Sequence, residues 1–406
     1  MKLSEAAQLV SLKLPSGTRT DRRLGRCRTI EDVRQAAKRR LPRSIFDYVD
    51  GGADEEQSLR NNVEAFGRYR YLPKALSDVR SPDISGTVLG RKTAAPLGFA
   101  PTGYTRMISP LGEPAVARAA AAAGIPYTLS TMASTSLENL ASSPGVSTED
   151  LWFQLYVWKD RALTMDLVRR AEQSGYRVLE VAVDTAVSGN RVRDARNGLT
   201  IPPALTLGSI LDIGRKPNYW ASMLASPVLE FANVSDGAGG GYTIENISRQ
   251  FDPAVNWDDL ERLRDAWPGK LVIKGPIGDV DAKRAQALGI DGVHLSNHGG
   301  RQLDRCVAPV DLVRSVRAAV GDGFGVLVDS GVRHGSDIAT ALALGADACF
   351  VGRPYLWGLV AGGQDGVEHV AELLLSQFRR TLQLLGMTSV DELREAGPGI
   401  LLPPTA

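Results

Sequence analysis

Apolar and polar positions alternate along this chain on two length scales. From Pro96 onward, short apolar runs recur at Pro96–Pro101, Pro126–Thr131, Leu151–Tyr156, Val178–Thr185, Leu271–Gly275, Gly292–Ser296, Gly325–Ser330 and Ala348–Arg353. Runs of about four to eight apolar residues bounded by turn residues mark buried strands. Between most of them lie segments with a helical period: Glu113–Ala123, Arg161–Ser174, Asp279–Leu288, Pro309–Val320 and Ser336–Leu344. Strands alternating with helices pair in parallel through crossovers, and eight such units close naturally as a barrel. A doubly wound sheet usually carries a Gly-x-Gly-x-x-Gly turn after its first strand, and none follows Pro96–Pro101. The expected fold class is α/β: a (β/α)8 TIM barrel with an N-terminal helical segment and a long insertion after the fourth strand.

Ahead of the barrel, Thr29–Lys38 opens like a helix, with Thr29 as cap and Glu31 and Asp32 at its positive end. Ser44–Val49 and Asp54–Phe66 read as two more, separated by Gly51-Gly52. Residues 1–28 are basic and are expected to form a solvated or loosely docked tail, residues 29–396 one domain, and residues 397–406 a C-terminal tail. The connection over residues 186–256 is far longer than the others. Connections of that length are commonly functional lids or disordered segments. Within it, Thr206 to Leu229 is amphipathic, with Trp220 and Leu224 among the apolar residues and Arg215-Lys216 among the charges. Such a stretch can lie on a membrane surface, cover the barrel mouth, or pack between subunits. Val367–Leu385 reads as one long amphipathic helix outside the barrel.

Composition narrows the partners. The 406 residues carry a net charge of +1, which gives no reason to expect nucleic acid. Cys27, Cys306 and Cys349 are scattered, outside metal spacing, and fit a reducing, cytoplasmic compartment. No metal site is expected. No uncharged apolar run reaches the roughly 20 residues a bilayer span needs, and the basic N-terminus lacks the apolar core of a secretory signal.

Function in a (β/α)8 barrel sits at the carboxyl ends of the strands, and here those ends are polar. In order they are Pro101-Thr102-Gly103-Tyr104, Ser130-Thr131, Gln154-Leu155-Tyr156, Asp184 with Arg191 beyond it, Lys274-Gly275, His298 with Arg301, Asp329, Gly331 and Arg333, and Gly352-Arg353. His298 can move a proton near neutral pH. Arg301 can hold a carboxylate through two parallel hydrogen bonds. The loops after strands seven and eight are the usual phosphate site of this fold, and Gly331, Arg333, Gly352 and Arg353 suit it.

The run Ser296-Asn-His-Gly-Gly-Arg-Gln-Leu-Asp304 resembles the signature of the FMN-dependent 2-hydroxy acid dehydrogenases and oxidases. Ile45-Phe-Asp-Tyr48, Gly51-Gly52-Ala53, Ala100-Pro-Thr102, Gln154-Leu-Tyr156, Val183-Asp-Thr185 and Gly352-Arg-Pro354 extend the likeness from Thr29 to Ala396, nearest to the quinone-linked bacterial L-lactate dehydrogenase branch. That resemblance implies FMN as cofactor and His298 as the base, with Asp184 orienting it. It implies Arg301 and Tyr48 on the substrate carboxylate, Arg191 as a second arginine, and Tyr156 on the substrate hydroxyl. Lys274 would sit at the flavin N1–O2 edge. Pro101, Thr102, Gly103, Ser130, Gln154 and Ser296 would lie against the flavin, and Asp329, Gly331, Arg333, Gly352 and Arg353 along the ribityl phosphate. Gly103 and Met132 would face the substrate.

Four positions depart from the oxidase-type pattern. Ala182 stands where many relatives carry threonine, and Ser330 replaces the first glycine of the usual Asp-Gly-Gly. Met132 stands where glycolate oxidases carry tryptophan, and Gly103 where many oxidases carry alanine, a glycine that accompanies quinone-linked enzymes. The expected activity is oxidation of an L-2-hydroxy acid, foremost L-lactate to pyruvate, with a quinone or other acceptor. A mandelate-type dehydrogenase or an oxygen-using oxidase is the rival within the family. A flavin-free barrel acting on a phosphate-bearing substrate, or an inactive flavoprotein scaffold, is the rival outside it. By the same resemblance the chain is expected to be a homotetramer, with peripheral contact to the inner face of the plasma membrane through residues 206–229.

Overall fold

The computed structural model describes residues 17–197, 214–227, 229–234 and 250–402. Eight parallel strands close into a barrel: β1 Leu97–Phe99, β2 Tyr127–Ser130, β3 Leu151–Leu155, β4 Val178–Ala182, β5 Lys270–Gly275, β6 Gly292–Leu295, β7 Gly325–Val328 and β8 Ala348–Val351. They follow one another in chain order around the ring, and β8 pairs with β1 through Cys349↔Leu97. All eight expected strands are present; β5 ends with its apolar run at Gly275, and the other seven end one to three residues before theirs.

Successive side chains of a strand point to opposite faces, so each strand supplies one residue set to the barrel interior and one to the surrounding helices. Trp152, Val178, Val272, Leu327, Ala348 and Phe350 fill the interior. An antiparallel hairpin, Gly86–Val88 with Arg91–Thr93, plugs it with Val88 and Leu89. Sequence reading missed this hairpin because its strands are too short to show a period.

The expected helices form, with ends shifted by up to three residues. Thr29 caps Ile30–Lys38 in a reciprocal box with Asp32, an arrangement worth about 1 kcal/mol. The helix Arg353–Gly362 begins at the end of β8, where the sequence pattern had continued the strand. Gln364–Leu385 packs against it and against Gly335–Leu344 and Gly112–Ala123.

Both tails depart from expectation where they are described. Thr18 caps a helix at Arg19–Leu24, and Leu24 and Cys27 are buried, so the domain takes in residues assigned to the basic tail. At the other end Leu401–Leu402 pairs antiparallel with Arg70–Tyr71. The physical reason is the same at both ends: a few apolar residues dock on the barrel's outer helices although charge dominates the composition around them.

The long connection after β4 holds the short helices Val192–Arg196 and Pro217–Leu224. The second docks on the mouth: buried Tyr219 donates its hydroxyl to the Met107 carbonyl at 2.6 Å. Trp220 and Met223 also pack inward, while Leu224 is 85% exposed. Residues 206–213 and 228 of the stretch expected to meet a membrane lie outside the described residues.

Candidate active site

The signature from Ser296 to Asp304 leaves β6 and makes a tight turn in which His298, Gly299 and Gly300 all take positive φ, from 58° to 74°. Neighbours compel glycine at both glycines: a Cβ on Gly300 would lie 2.6 Å from the Leu59 amide, and one on Gly299 2.5 Å from Nη1 of the anchored Arg353. The polar residues of the turn hold it in place. Asn297 and Asn62 exchange amide hydrogen bonds at 2.6 and 2.8 Å. Gln302 donates to the carbonyls of Asp184 and Val187 and accepts from the Gly189 amide, tying the loop after β4 to the loop after β6. Asp304 accepts from the Ser58 and Glu55 amides at the start of the helix Gln57–Gly67. Much of the motif is therefore scaffolding for two side chains, His298 and Arg301.

The His298 ring is held on both sides. Its Nδ1 lies 3.2 Å from each oxygen of Asp184, and its Nε2 lies 3.4 Å from the Tyr156 hydroxyl. Burial raises the Tyr156 phenol pKa well above its ordinary value, aided by the charge of Asp184, so the hydroxyl keeps its proton. Arg301 donates to the carbonyls of Tyr48 at 2.6 Å and Gly51 at 3.0 Å, with its guanidinium 5.0 Å from the Tyr48 ring centre. Burial, with Arg191 nearby, brings its pKa down to about 9. Arg191 presents a buried Nε without a hydrogen-bond partner among the described residues. Arg301, bonded to neutral carbonyls, beside Arg191 with its unpartnered Nε makes a site that an anion would complete.

A cavity of about 370 Å3 opens over these residues and runs across the mouth to β7 and β8. Its walls include Tyr48, Pro101, Thr102, Gly103, Ser130, Met132, Gln154, Tyr156, Arg191, Lys274, His298, Arg301, Asp329, Gly331, Arg333, Gly352 and Arg353, nearly every residue expected at the site. Two expected residues stand behind the wall instead. Asp184 backs His298, and buried Ser296 accepts from Lys274 Nζ at 2.5 Å and from the His298 amide at 3.0 Å.

Lys274 is buried at the cavity floor and donates to Asp329 as well. Burial opposes its charge, yet Asp329, Glu180 and Asp184 together hold its pKa above the ordinary value. Asp329 is likewise buried, but Lys274 and His294 hold its carboxyl pKa far below the usual range. Ser330 adopts φ 68° in place of a glycine; its hydroxyl donates to Asp329 at 2.7 Å and accepts from the Gly299 amide at 3.0 Å. That hydroxyl ties the loops after β6 and β7 together and compensates for the left-handed backbone.

The far end of the cavity is cationic. Arg353 donates to the carbonyls of Val49, Gly51 and Gly299 at 2.7–2.9 Å. Arg333 donates to the Val332 carbonyl and stacks 5.2 Å from the Trp357 ring centre. Burial brings both guanidinium pKa values down to about 10, and among the described residues neither is ion-paired with a carboxylate.

These features fit FMN. Gln154 offers a buried Nε2 with no partner among the described residues, beside Ser130, which donates to Gln154 Oε1 at 3.0 Å. Lys274 supplies a positive charge at the floor, and the arginine pair with the N-terminus of Arg353–Gly362 suits a phosphate dianion.

Tyr104, at the expected end of the first strand, joins the wall, and Asp194, Phe231 and Phe251 were not foreseen. Phe231 and Phe251 come from the long connection and close the mouth by packing on Tyr104 and Tyr156. Asp194 follows Arg191 by three residues, the one local signal that could have found it.

The comparisons with known proteins agree with this geometry. Residues 37–397 match the family model described as FMN-dependent dehydrogenase. A putative L-lactate dehydrogenase of Mycobacterium tuberculosis is 44% identical over 393 residues, 97% of this chain and 94% of that protein. The (S)-mandelate dehydrogenase of Pseudomonas putida is 40% identical over 90% of this chain and 92% of that protein. Among solved structures, a monotopic membrane protein, (S)-mandelate dehydrogenase, superposes with TM-score 0.87 at 39% identity, covering 93% of this chain and 100% of that one.

Proposed function

Because this chain belongs to the FMN-dependent dehydrogenase family and is an FMN-dependent 2-hydroxy acid oxidoreductase, we propose L-lactate as its preferred substrate and a quinone-type compound as its electron acceptor. The observation that carries the reading is the juxtaposition of His298–Asp184 with Arg301 at one end of a cavity that has Lys274 at its floor and the Arg333–Arg353 pair at its other end.

Each residue has a task in this proposal. Arg301 and Arg191 bind the substrate carboxylate, aided by Tyr48, and so fix the carbon bearing the hydroxyl beside His298. Tyr156, protonated and 3.4 Å from the imidazole, orients the substrate hydroxyl. His298 Nε2 takes a proton from the substrate, and Asp184 stabilises the imidazolium that results. FMN, when bound, supplies the two-electron sink that no side chain can offer. Ser130, Gln154, Thr102, Pro101 and Gly103 would hold its ring, Lys274 its N1–O2 edge, and Asp329, Gly331, Arg333, Gly352 and Arg353 its ribityl phosphate. Phe231 and Phe251 exclude water, which strengthens the charge interactions inside.

Met132, packed against Gly103, limits the space beside the substrate's β-carbon and supports a small substituent. The aromatic residues Tyr104, Phe231 and Phe251 at the same mouth would also receive an aryl group, which favours a mandelate-type dehydrogenase as the second reading. An anaerobic panel of L-lactate, glycolate and (S)-mandelate, scored by bleaching of the yellow flavin, separates the two. Faster bleaching by (S)-mandelate than by L-lactate would overturn the lactate assignment.

The proposal extends to place and assembly. No described helix is long and apolar enough to cross a membrane. We assign peripheral contact with the inner face of the plasma membrane to residues 206–229, where exposed Leu224 projects from the docked helix. The monotopic character of the similar (S)-mandelate dehydrogenase supports this. Liposome flotation of the intact protein against a form with a short polar loop in place of residues 206–229 tests it, equal partitioning being the contrary result. Assembly as a homotetramer follows the family resemblance, and sedimentation reads it directly.

A further inference from the structure

Two fully buried ionisable side chains lie inside the barrel and take no part in the roles above. Glu180 stands in the middle of β4 and His294 in β6, both 0% exposed. Barrel interiors are ordinarily filled by branched apolar residues, as Val178, Val272 and Leu327 do here. His294 Nδ1 lies 2.7 Å from Glu180 Oε2, and its Nε2 faces Asp329 Oδ2 at 3.5 Å. That same Asp329 oxygen accepts from Lys274 Nζ. Glu180, His294, Asp329 and Lys274 thus form a continuous chain from the sealed interior to the floor of the cavity. Lys274 Nζ also donates to Ser296, whose hydroxyl oxygen accepts from the His298 amide as well.

The geometry constrains the charges. A neutral imidazole has one N–H, yet both ring nitrogens of His294 face carboxylate oxygens. A neutral ring that donates from Nδ1 to Glu180 sets the Nε2 lone pair against the Asp329 carboxylate at 3.5 Å, whereas an imidazolium presents an N–H to each, and buried charges persist when they are paired. The chain then alternates in sign: Glu180 negative, His294 positive, Asp329 negative, Lys274 positive. Among the described residues Glu180 Oε1 and His294 Nε2 have no hydrogen-bond partner, so His294 is bonded to Glu180 through Nδ1 and meets Asp329 as an ion-pair contact at 3.5 Å. Without His294, Lys274 alone would balance the Asp329 carboxylate. With it, Asp329 is shared, and the positive end of the chain is turned toward the cavity.

We propose that Glu180 and His294 are positioning residues that, through Asp329, leave the Lys274 ammonium free to act on the N1–O2 edge of FMN and so raise the flavin's reduction potential. This rests on the placement of Lys274 at that edge in the function proposed above. The sign follows from charge: a positive end beside the ring favours the reduced, anionic form. It holds whichever 2-hydroxy acid is the substrate.

The test uses FMN-loaded wild-type protein, Glu180→Gln, Glu180→Asp and the double variant Glu180→Val/His294→Val, which replaces the pair with apolar residues. The midpoint potential of the bound flavin is measured, together with FMN content and the 15N shifts of the labelled His294 ring. The expected results are full FMN content, two protonated ring nitrogens in the wild type, and a lower potential in Glu180→Gln and in the double variant. A drop of about 30 mV corresponds to a tenfold shift of a two-electron equilibrium; Glu180→Asp should recover part of it. A wild-type potential in Glu180→Gln, or a wild-type His294 ring with one protonated nitrogen, would overturn the proposal. If the double variant does not fold, Glu180→Gln decides alone. A wild-type protein that no hydroxy acid bleaches would refute the function instead, and the ring shifts would still report the charge of His294.

Discussion

Asp184 faces Nδ1 of His298 with both carboxylate oxygens at 3.2 Å, from behind the cavity wall rather than within it. Its direct side-chain contact is with the imidazole. Asp184→Asn should leave FMN content unchanged and slow flavin reduction by about two to four orders of magnitude, because the imidazolium loses its counter-charge. Equal reduction rates in the variant and the wild type would remove Asp184 from the mechanism.

Arg301 gives a pH signature. Its pKa is depressed from the ordinary arginine value to about 9, so its charge is complete below that pH and lost above it. The KM for an anionic hydroxy acid should be flat below about 9 and rise beyond it. An uncharged lactamide-like substrate should show no such rise. Arg301→Met should cost roughly 2–5 kcal/mol of transition-state binding for lactate and erase the pH effect. A KM that stays level for lactate through this range contradicts the clamp.

Gly103 leaves little room. A Cβ there would lie 2.9 Å from the Cβ of Met132, so Gly103→Ala has to displace Met132. We expect that variant to change the KM for bulky more than for small hydroxy acids. The wild type should reoxidise too slowly in air to sustain turnover without a dye or quinone. Stopped-flow reoxidation measures this, and air-supported turnover would make the protein an oxidase.

Ser330 sets two effects against each other. A glycine at this positive-φ position relieves about 1 kcal/mol of left-handed strain, but it forfeits the hydroxyl's bonds to Asp329 and Gly299. A hydrogen bond to a charged group contributes about 1.5–3 kcal/mol, so the loss outweighs the relief. Ser330→Ala loses the bonds and keeps the strain. Thermal unfolding should rank wild type above Ser330→Gly and Ser330→Gly above Ser330→Ala. A glycine variant more stable than the wild type would show that the hydroxyl contributes little.

The barrel was legible because its strands are buried on both faces and read as unbroken apolar runs. Most of the site was legible because barrel chemistry gathers at strand ends, where a polar residue after an apolar run stands out. Glu180 and His294 escaped notice for the converse reason. Each sits inside an apolar run, and a linear sequence does not show that β4 and β6 turn these two residues toward each other across the interior. Ser296 and Asp184 were placed at the correct strand ends, but one residue of rotation along a strand decides between wall and support. Phe231 and Phe251 belong to a connection without a clear period, and only tertiary packing brings them to the mouth. The docked N-terminal helix was hidden by charge, since Leu24 and Cys27 are isolated apolar residues in a basic stretch.

The central claim is that His298 accepts the substrate proton while FMN takes the electrons. Anaerobic stopped-flow mixing of FMN-loaded protein with L-lactate, in wild type and His298→Gln, tests it most directly. The account predicts rapid bleaching in the wild type, and full FMN content with reduction slowed about 10²–10⁴-fold in the variant. Bleaching of His298→Gln at the wild-type rate would contradict it.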